Sequence, residues 1–187
     1  MNSSVLKMLV TLTTIGLISG GSLAGVYKKS FPLIEKHRLE ALKKAIFDVL
    51  PDAKSYKELN KDGIKVYQGL DDKNNPVGIA FEAEGNGFQA KISMMAGIDN
   101  QFKKLKGMKV LYQIETPGLG NKIEFDDFRN QFKGLEVKPQ IGYVKNKKPD
   151  KPNEIQAITA ATISSVAVIK ILNKEIKNIE KTFKNKG

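Results

Sequence analysis

Residues 8–27 carry no charged side chain. As a helix that stretch rises about 30 Å, the thickness of a bilayer's hydrocarbon core, so it is expected to cross a membrane and to leave the folding body to the residues beyond it. Lys7 stands on one side and Lys28 and Lys29 on the other, so flanking charge alone does not orient it. Ser22-Leu23-Ala24 is a passable small-residue cleavage site, which makes a removed secretory signal the rival reading. The length of the uncharged run favours a retained anchor. Gly16, Gly20, Gly21 and Gly25 would let partner helices pack closely against it. The expected limits are 1–30 for the anchor and 31–187 for one further domain.

Within that second part the chemistry available is narrow. The chain has no Cys, no Trp and a single His, His37, which argues against iron–sulfur clusters, thiol catalysis, disulfides and multi-His metal or haem sites. No metal site is expected, and any redox chemistry must come from an organic cofactor. Lys and Arg number 31 against 20 Asp and Glu, a net charge of +11. The lysines are spread among polar residues, with no arginine cluster and no aromatic-basic stripe, so no nucleic-acid partner is expected. A basic solvated face near acidic lipid headgroups is the simpler meaning.

The body is expected to begin after Pro32. Over 33–50, Leu39, Leu42, Ile46 and Val49 fall at helical spacing between Lys, Arg and Glu, and Pro51 closes the run. Residues 64–70 and 77–83 read as strands joined by the polar turn 71–76, and Gly85-Asn86-Gly87 turns the second into a strand over 88–95. Further strands are expected over 109–115 and 137–145. Between them Phe125, Phe128 and Phe132 sit on a short helix, and 145–153 reads as an exposed loop. Beyond Thr162, the residues Ile169, Leu172, Ile176, Ile179 and Phe183 recur three and four apart, an apolar seam expected to pack on the sheet. The fold class expected is α+β, an antiparallel sheet with flanking helices, preceded by one N-terminal transmembrane helix.

Two segments stand out chemically. Thr159-Ala160-Ala161-Thr162-Ile163-Ser164-Ser165 is a small-residue, hydroxyl-rich step opening the last helix. Helix-start N–H groups lack partners there and Thr162 supplies an oxygen, so a phosphate is the natural guest; an ordinary helix cap is the plainer reading. Glu115-Thr116-Pro117-Gly118-Leu119-Gly120 follows an apolar strand. Pro117 fixes one backbone angle and the glycines free others, so Leu119 can project beside an acceptor and a hydroxyl, suiting a planar, partly polar ring. No nucleophile with an activating partner is visible, so bond-making catalysis by this chain alone is not expected.

These segments, with Gly87-Phe88, Gly97-Ile98-Asp99 and Gln131-Phe132-Lys133-Gly134, resemble the FMN-binding domain of the G subunit of the Rnf electron-transport complex. The resemblance spans nearly the whole chain, anchor included. It implies covalent FMN, its phosphoester on Thr162 made by a dedicated flavin transferase. Thr159 and Ser164 would join the cofactor site, the backbone at Ala160 and Ala161 would allow close approach, and Glu115 and Thr116 would position or hydrogen-bond the flavin. Leu119 would pack on it, with Gly118 and Gly120 allowing close approach.

The implied role is electron transfer among the other membrane and redox subunits of a complex that couples ferredoxin and NAD to Na+ or H+ translocation. The implied location is the cell's inner (cytoplasmic) membrane, single-pass, with the flavin domain on the outer face. Lys28, Lys29, Lys36 and Arg38 by themselves would favour a cytoplasmic domain. Two residues depart from the family's motif: Ala160 stands where Gly is usual and Gln156 where Asp is frequent. Ala takes a positive φ less readily, so a different local path is expected there. Three alternatives stay open: the C subunit of a sodium-translocating NADH:quinone reductase, a structural subunit that has lost its flavin, and a secreted basic binding protein.

Overall fold

The computed structural model describes residues 3–184, so the expected limits at 1 and 187 lie outside the described residues. The first helix, α1, runs Ser3–Val49 and carries an apolar segment long enough to cross a membrane. Within it the hydroxyls of Thr11, Thr13 and Thr14 donate to the carbonyls of Lys7, Leu9 and Val10, one turn back. These three hydroxyl protons are satisfied without water, as a hydrocarbon environment demands.

Pro32, expected to precede the body, lies inside α1. Proline removes one N–H, here the partner of the Lys28 carbonyl, and an exposed helix tolerates that loss. The chain divides into compact units Met1–Lys43 and Lys44–Gly187. The expected amphipathic seam correspondingly starts late: Leu33 and Leu39 are exposed, while Ala45, Ile46 and Val49 are buried.

The second unit is built on a five-stranded antiparallel meander in chain order: β1 (Ser55–Lys61), β2 (Ile64–Leu70), β3 (Pro76–Asn86), β4 (Lys91–Ile98) and β5 (Leu105–Tyr112). Alternation assigns the two faces. Phe81 and Ala83 of β3 with Ile92, Met94, Ala96 and Ile98 of β4 join one core with the last helix, α3 (Thr162–Phe183), through Val168, Leu172, Ile176 and Ile179. On the opposite face, Gly78 of β3 and Gly97 of β4 lie against Leu50 and Val49 at the end of α1. A Cβ on Gly97 would come within 2.2 Å of the Val49 carbonyl oxygen, so that helix end lies directly on β4.

Several strand limits differ from those expected. β1 was not foreseen, because Ser-Tyr-Lys-Glu-Leu-Asn-Lys has no apolar alternation; it is an edge strand held by pairing to β2. β4 and β5 start three residues later and four residues earlier than expected. The turn before β4 extends to Ala90, whose carbonyl takes the Gly87 N–H at 2.7 Å. The expected strand over 137–145 shrinks to β6 (Gly142–Val144), which pairs in parallel with β7 (Glu154–Gln156) at the end of the expected loop. The phenylalanine segment forms a 3-10 turn (Gly120–Glu124), a short α2 (Asp126–Arg129) and a second 3-10 turn (Asn130–Phe132), with Phe128 and Phe132 buried.

Candidate functional site

The segment after β5 closes into a tight turn. Leu119 N–H donates to the Thr116 carbonyl at 3.1 Å, with Pro117 second and Gly118 third at φ +75°. Proline then a positive-φ glycine is the type II pattern, and it leaves Leu119 41 % exposed.

Glu115 at the start of this loop points the other way. It is 4 % exposed, and its Oε1 accepts from the backbone N–H of Phe88 at 2.9 Å and of Gln89 at 3.1 Å. Its Oε2 accepts from the hydroxyl of Ser164, itself 3 % exposed. One carboxylate therefore ties the β3–β4 turn, the loop and the first turn of α3 together. Such charge-assisted bonds in a buried setting are among the stronger ones. Gly120 makes room for the tie: a Cβ there would lie 2.6 Å from Ser164 Oγ and 2.9 Å from Glu115 Oε2. Gln89 Nε2 adds a bond to Thr116 Oγ1 at 3.0 Å.

The start of α3 carries four hydroxyls close together. Ser164 gives its hydroxyl to Glu115. Ser165, fully buried, donates to the Ala161 carbonyl at 3.1 Å and accepts from Ile158 N–H at 3.0 Å. Thr159 makes a long contact of 3.4 Å to Asn146 Oδ1. Of the four, Thr162 Oγ1 alone has no protein partner among the described residues. Nor does Thr162 cap the helix: Ala161 holds the N-cap position and no side chain bonds the first-turn amides, so those donors stay available.

Thr162 and Ile163 stand on the wall shared by two clefts. The smaller, about 270 Å³, is lined by Phe88, Thr116, Leu119, Gly120 and the segment from Ala160 to Ser164. The larger, about 600 Å³, runs along α3 past Tyr143, Lys145, Lys170 and Lys174. An apolar wall thus meets an uncapped helix start at Thr162, and the basic groove lies on the other side of that wall. That is a place for a ligand with a planar ring and an anionic group.

Comparison with known proteins gives this site a family. The FMN-binding domain family matches residues 87–177, a span containing both segments of the site. The G subunit of the ion-translocating oxidoreductase complex of Methanosarcina acetivorans is 31 % identical over 144 residues, covering 73 % of this chain and 77 % of the relative. The chain belongs to this G-subunit family. A second relative, the G subunit of the proton-translocating ferredoxin:NAD(+) oxidoreductase complex of Clostridium ljungdahlii, is 27 % identical over 131 residues, covering 70 % of this chain and 69 % of its own length. Among solved structures, Shewanella oneidensis NqrC aligns with TM-score 0.57 at 20 % identity, covering 70 % of this chain and 68 % of its own. The C subunit of the Na(+)-translocating NADH-quinone reductase of Parabacteroides distasonis gives TM-score 0.59 at 20 % identity, over 72 % of this chain and 80 % of its own. These two likenesses establish the fold.

Within this G-subunit chain, the smaller cleft brings together Thr116, Leu119, Gly120, Ala160, Ala161, Thr162 and Ser164, from both expected segments. Three expected residues sit differently. Glu115 faces inward, its carboxylate engaged by three protein donors, so it holds the loop in place. Gly118 lies out on the turn with open space around it. Thr159 borders a third cleft, of about 290 Å³, with Phe125 and Gln156. The different path expected at Ala160 is also absent: Ala160 adopts φ +65°, the left-handed angle that glycine favours. Phe88, Ile163 and the lysines of the larger cleft were not among the expected site residues. Gly87-Phe88 is among the residues that carry the resemblance, but local sequence does not place it beside Thr162. Lys145, Lys170 and Lys174 gave no signal because the fold alone gathers them.

Proposed function

We propose that Thr162 carries FMN through a phosphoester and that this chain relays electrons, as the flavin-bearing subunit, within a membrane complex linking ferredoxin and NAD to Na+ or H+ translocation. Family membership supports an FMN-dependent redox subunit of an ion-translocating complex. The observation supporting attachment at Thr162 is the commitment of its neighbours: Ser164 and Ser165 have given their hydroxyls to Glu115 and Ala161, and Thr162 has not.

The residues present fit FMN. The first-turn amides of α3 would hold the phosphate, Thr162 Oγ1 would bond it, and Ala160 and Ala161 would flank it without bulk, Thr159 standing off on the neighbouring cleft. Leu119 and Phe88 would offer an apolar wall, with Thr116 and Gly120 at its base. Glu115 and Ser164 would keep loop and helix in register, and Gly118 would set the turn that presents Leu119. When bound, FMN supplies reversible one- and two-electron chemistry that no side chain here can. Attachment would transfer the FMN moiety from flavin adenine dinucleotide to Thr162: the Oγ1–P bond forms as the pyrophosphate P–O bond breaks, and AMP leaves with the hydroxyl proton, the task of a flavin transferase acting on this chain.

Residues 1–30 would anchor the chain once in the cytoplasmic membrane, and 31–187 would form the FMN-binding domain on the periplasmic or extracellular face. Co-expression with a flavin transferase, followed by a denaturing gel viewed under ultraviolet light, tests the attachment. A fluorescent band is expected for the native chain, for Thr162→Ser and for Ser164→Ala, and none for Thr162→Ala. A band that persists in Thr162→Ala would overturn the assignment. Protease added to spheroplasts should digest the flavin domain; complete protection would place it inside.

A further inference from the structure

We infer that the face around Thr162 is where the flavin meets a redox partner, and that the partner presents a protruding, carboxylate-bearing surface to it. This deepens the reading that Thr162 holds FMN and depends on it. Seven large apolar side chains are exposed among the described residues of Lys44–Gly187, and four of them, Phe88, Leu119, Tyr143 and Ile163, line the two clefts that share Thr162. Phe88 is 59 % and Ile163 61 % exposed. Single exposed apolar residues are ordinary, but a gathering of them around one point marks an interaction site.

The charge beside them has one sign. Lys145, Lys170 and Lys174 line the larger cleft, and its single carboxylate, Glu84, is taken by Lys91 at 2.7 Å. Among the described residues none of these three lysines lies within ion-pair distance of a carboxylate. Lys170 and Lys174 are one turn apart on α3 and repel each other, and no acidic residue stands three or four positions from either. An apolar patch beside unpaired cations has the makeup of a protein interface with a charged rim. Acidic groups on the partner would steer its approach and fix its orientation. Lipid headgroups would attract the same lysines, but a flat lipid surface does not fill a cleft of about 600 Å³, whereas a protruding loop does.

The test uses the whole complex carrying Lys145→Glu, Lys170→Glu and Lys174→Glu together. Single-turnover reduction of its covalent flavin by NADH is followed by stopped-flow absorbance, in native membranes and in neutral detergent. Attachment is read separately as the ultraviolet-fluorescent band, absent from the Thr162→Ala control. The band should be unchanged and the flavin reduction rate should fall about tenfold or more in both settings. In the native complex the rate should drop between about 0.01 and about 0.15 M salt, as the screening length shrinks from ~30 to ~8 Å, and the variant should lose that dependence. A variant with native rate and native salt response overturns the inference. So does a defect seen in membranes and absent in neutral detergent, which would assign the lysines to lipid. Loss of the band in Thr162→Ala alone, with no lysine effect, would leave the attachment standing without this partner surface.

Discussion

Ser164 donates its hydroxyl to Oε2 of Glu115, 49 residues earlier in the chain, and the bond is buried at both ends. It joins the loop bearing Leu119 to the helix bearing Thr162. Glu115→Ala would leave Ser164 Oγ and the amides of Phe88 and Gln89 without an acceptor. A loss of about 1–2 kcal/mol is expected, set mainly by the buried Ser164 hydroxyl, because the amides of the exposed Phe88 and Gln89 can turn to water. Denaturant unfolding measures it, and flavin attachment should weaken in parallel. Glu115→Gln keeps one acceptor but turns an N–H2 toward a donor, so it should fall between. Unchanged stability in Glu115→Ala would show that the carboxylate is not the tie.

Ala160 sits at φ +65°. The left-handed angle costs a residue with a Cβ about 1–2 kcal/mol, while glycine adds unfolded-state freedom worth about 0.4–1 kcal/mol. Ala160→Gly should therefore stabilise the protein by roughly 0.5–1 kcal/mol, read as a raised thermal midpoint. A lowered midpoint would contradict the assigned backbone angle.

Gly97 faces the backbone of Val49, where a Cβ would stand 2.2 Å from the carbonyl oxygen. A carbonyl at a helix end cannot swing aside as a flexible side chain can. Gly97→Ala should cost about 3 kcal/mol, at the upper end of ordinary overpacking. An unfolding midpoint within error of the native one would mean that the end of α1 does not rest on β4.

Glu180 near the end of α3 accepts from Lys138 and from Lys184, the latter at 2.7 Å. These two hydrogen bonds, the Lys138 bond first, hold its carboxyl below the ordinary 4.5. A carboxyl lowered in the folded state contributes stability above its unfolded value and loses that contribution as pH falls through the folded one. Glu180→Gln should thus be slightly less stable near neutral pH, by under about 1 kcal/mol, and its deficit should shrink as pH falls below the ordinary carboxyl range. Denaturation curves at about pH 7 and about pH 3 make the comparison. An equal deficit at both would attribute the loss to packing.

The parts of the fold legible in the sequence were those whose residues answer to local physics. The seam of Leu172, Ile176 and Ile179 follows helical spacing, and all three pack into the core as that spacing demands. β2 matches its expected limits because a polar turn bounds it at Leu70. β1 was invisible because an edge strand needs its neighbour's hydrogen bonds more than an apolar face of its own. Pro32 signals a break by residue type alone, yet an exposed helix carries it.

At the site, the hydroxyl-rich step and the Pro-Gly loop were conspicuous as residue types, and the fold places them across one cleft. The direction of Glu115 was not legible. A sequence supplies an acceptor without naming its donors, and these lie 26, 27 and 49 positions away. The basic groove was hidden for the same reason: Lys145 and Lys170 come from separate elements brought side by side only in the folded chain.

The meander pairs every strand with its chain neighbour, so the sheet is fully specified by the time Tyr112 leaves the ribosome. Such local pairing favours early assembly. The threonine that would take the flavin arrives later, on a helix whose docking also closes the Glu115 tie. Cofactor loading at that hydroxyl, as proposed, would thereby be a last step in the chain's maturation, carried out on a protein whose scaffold has already formed.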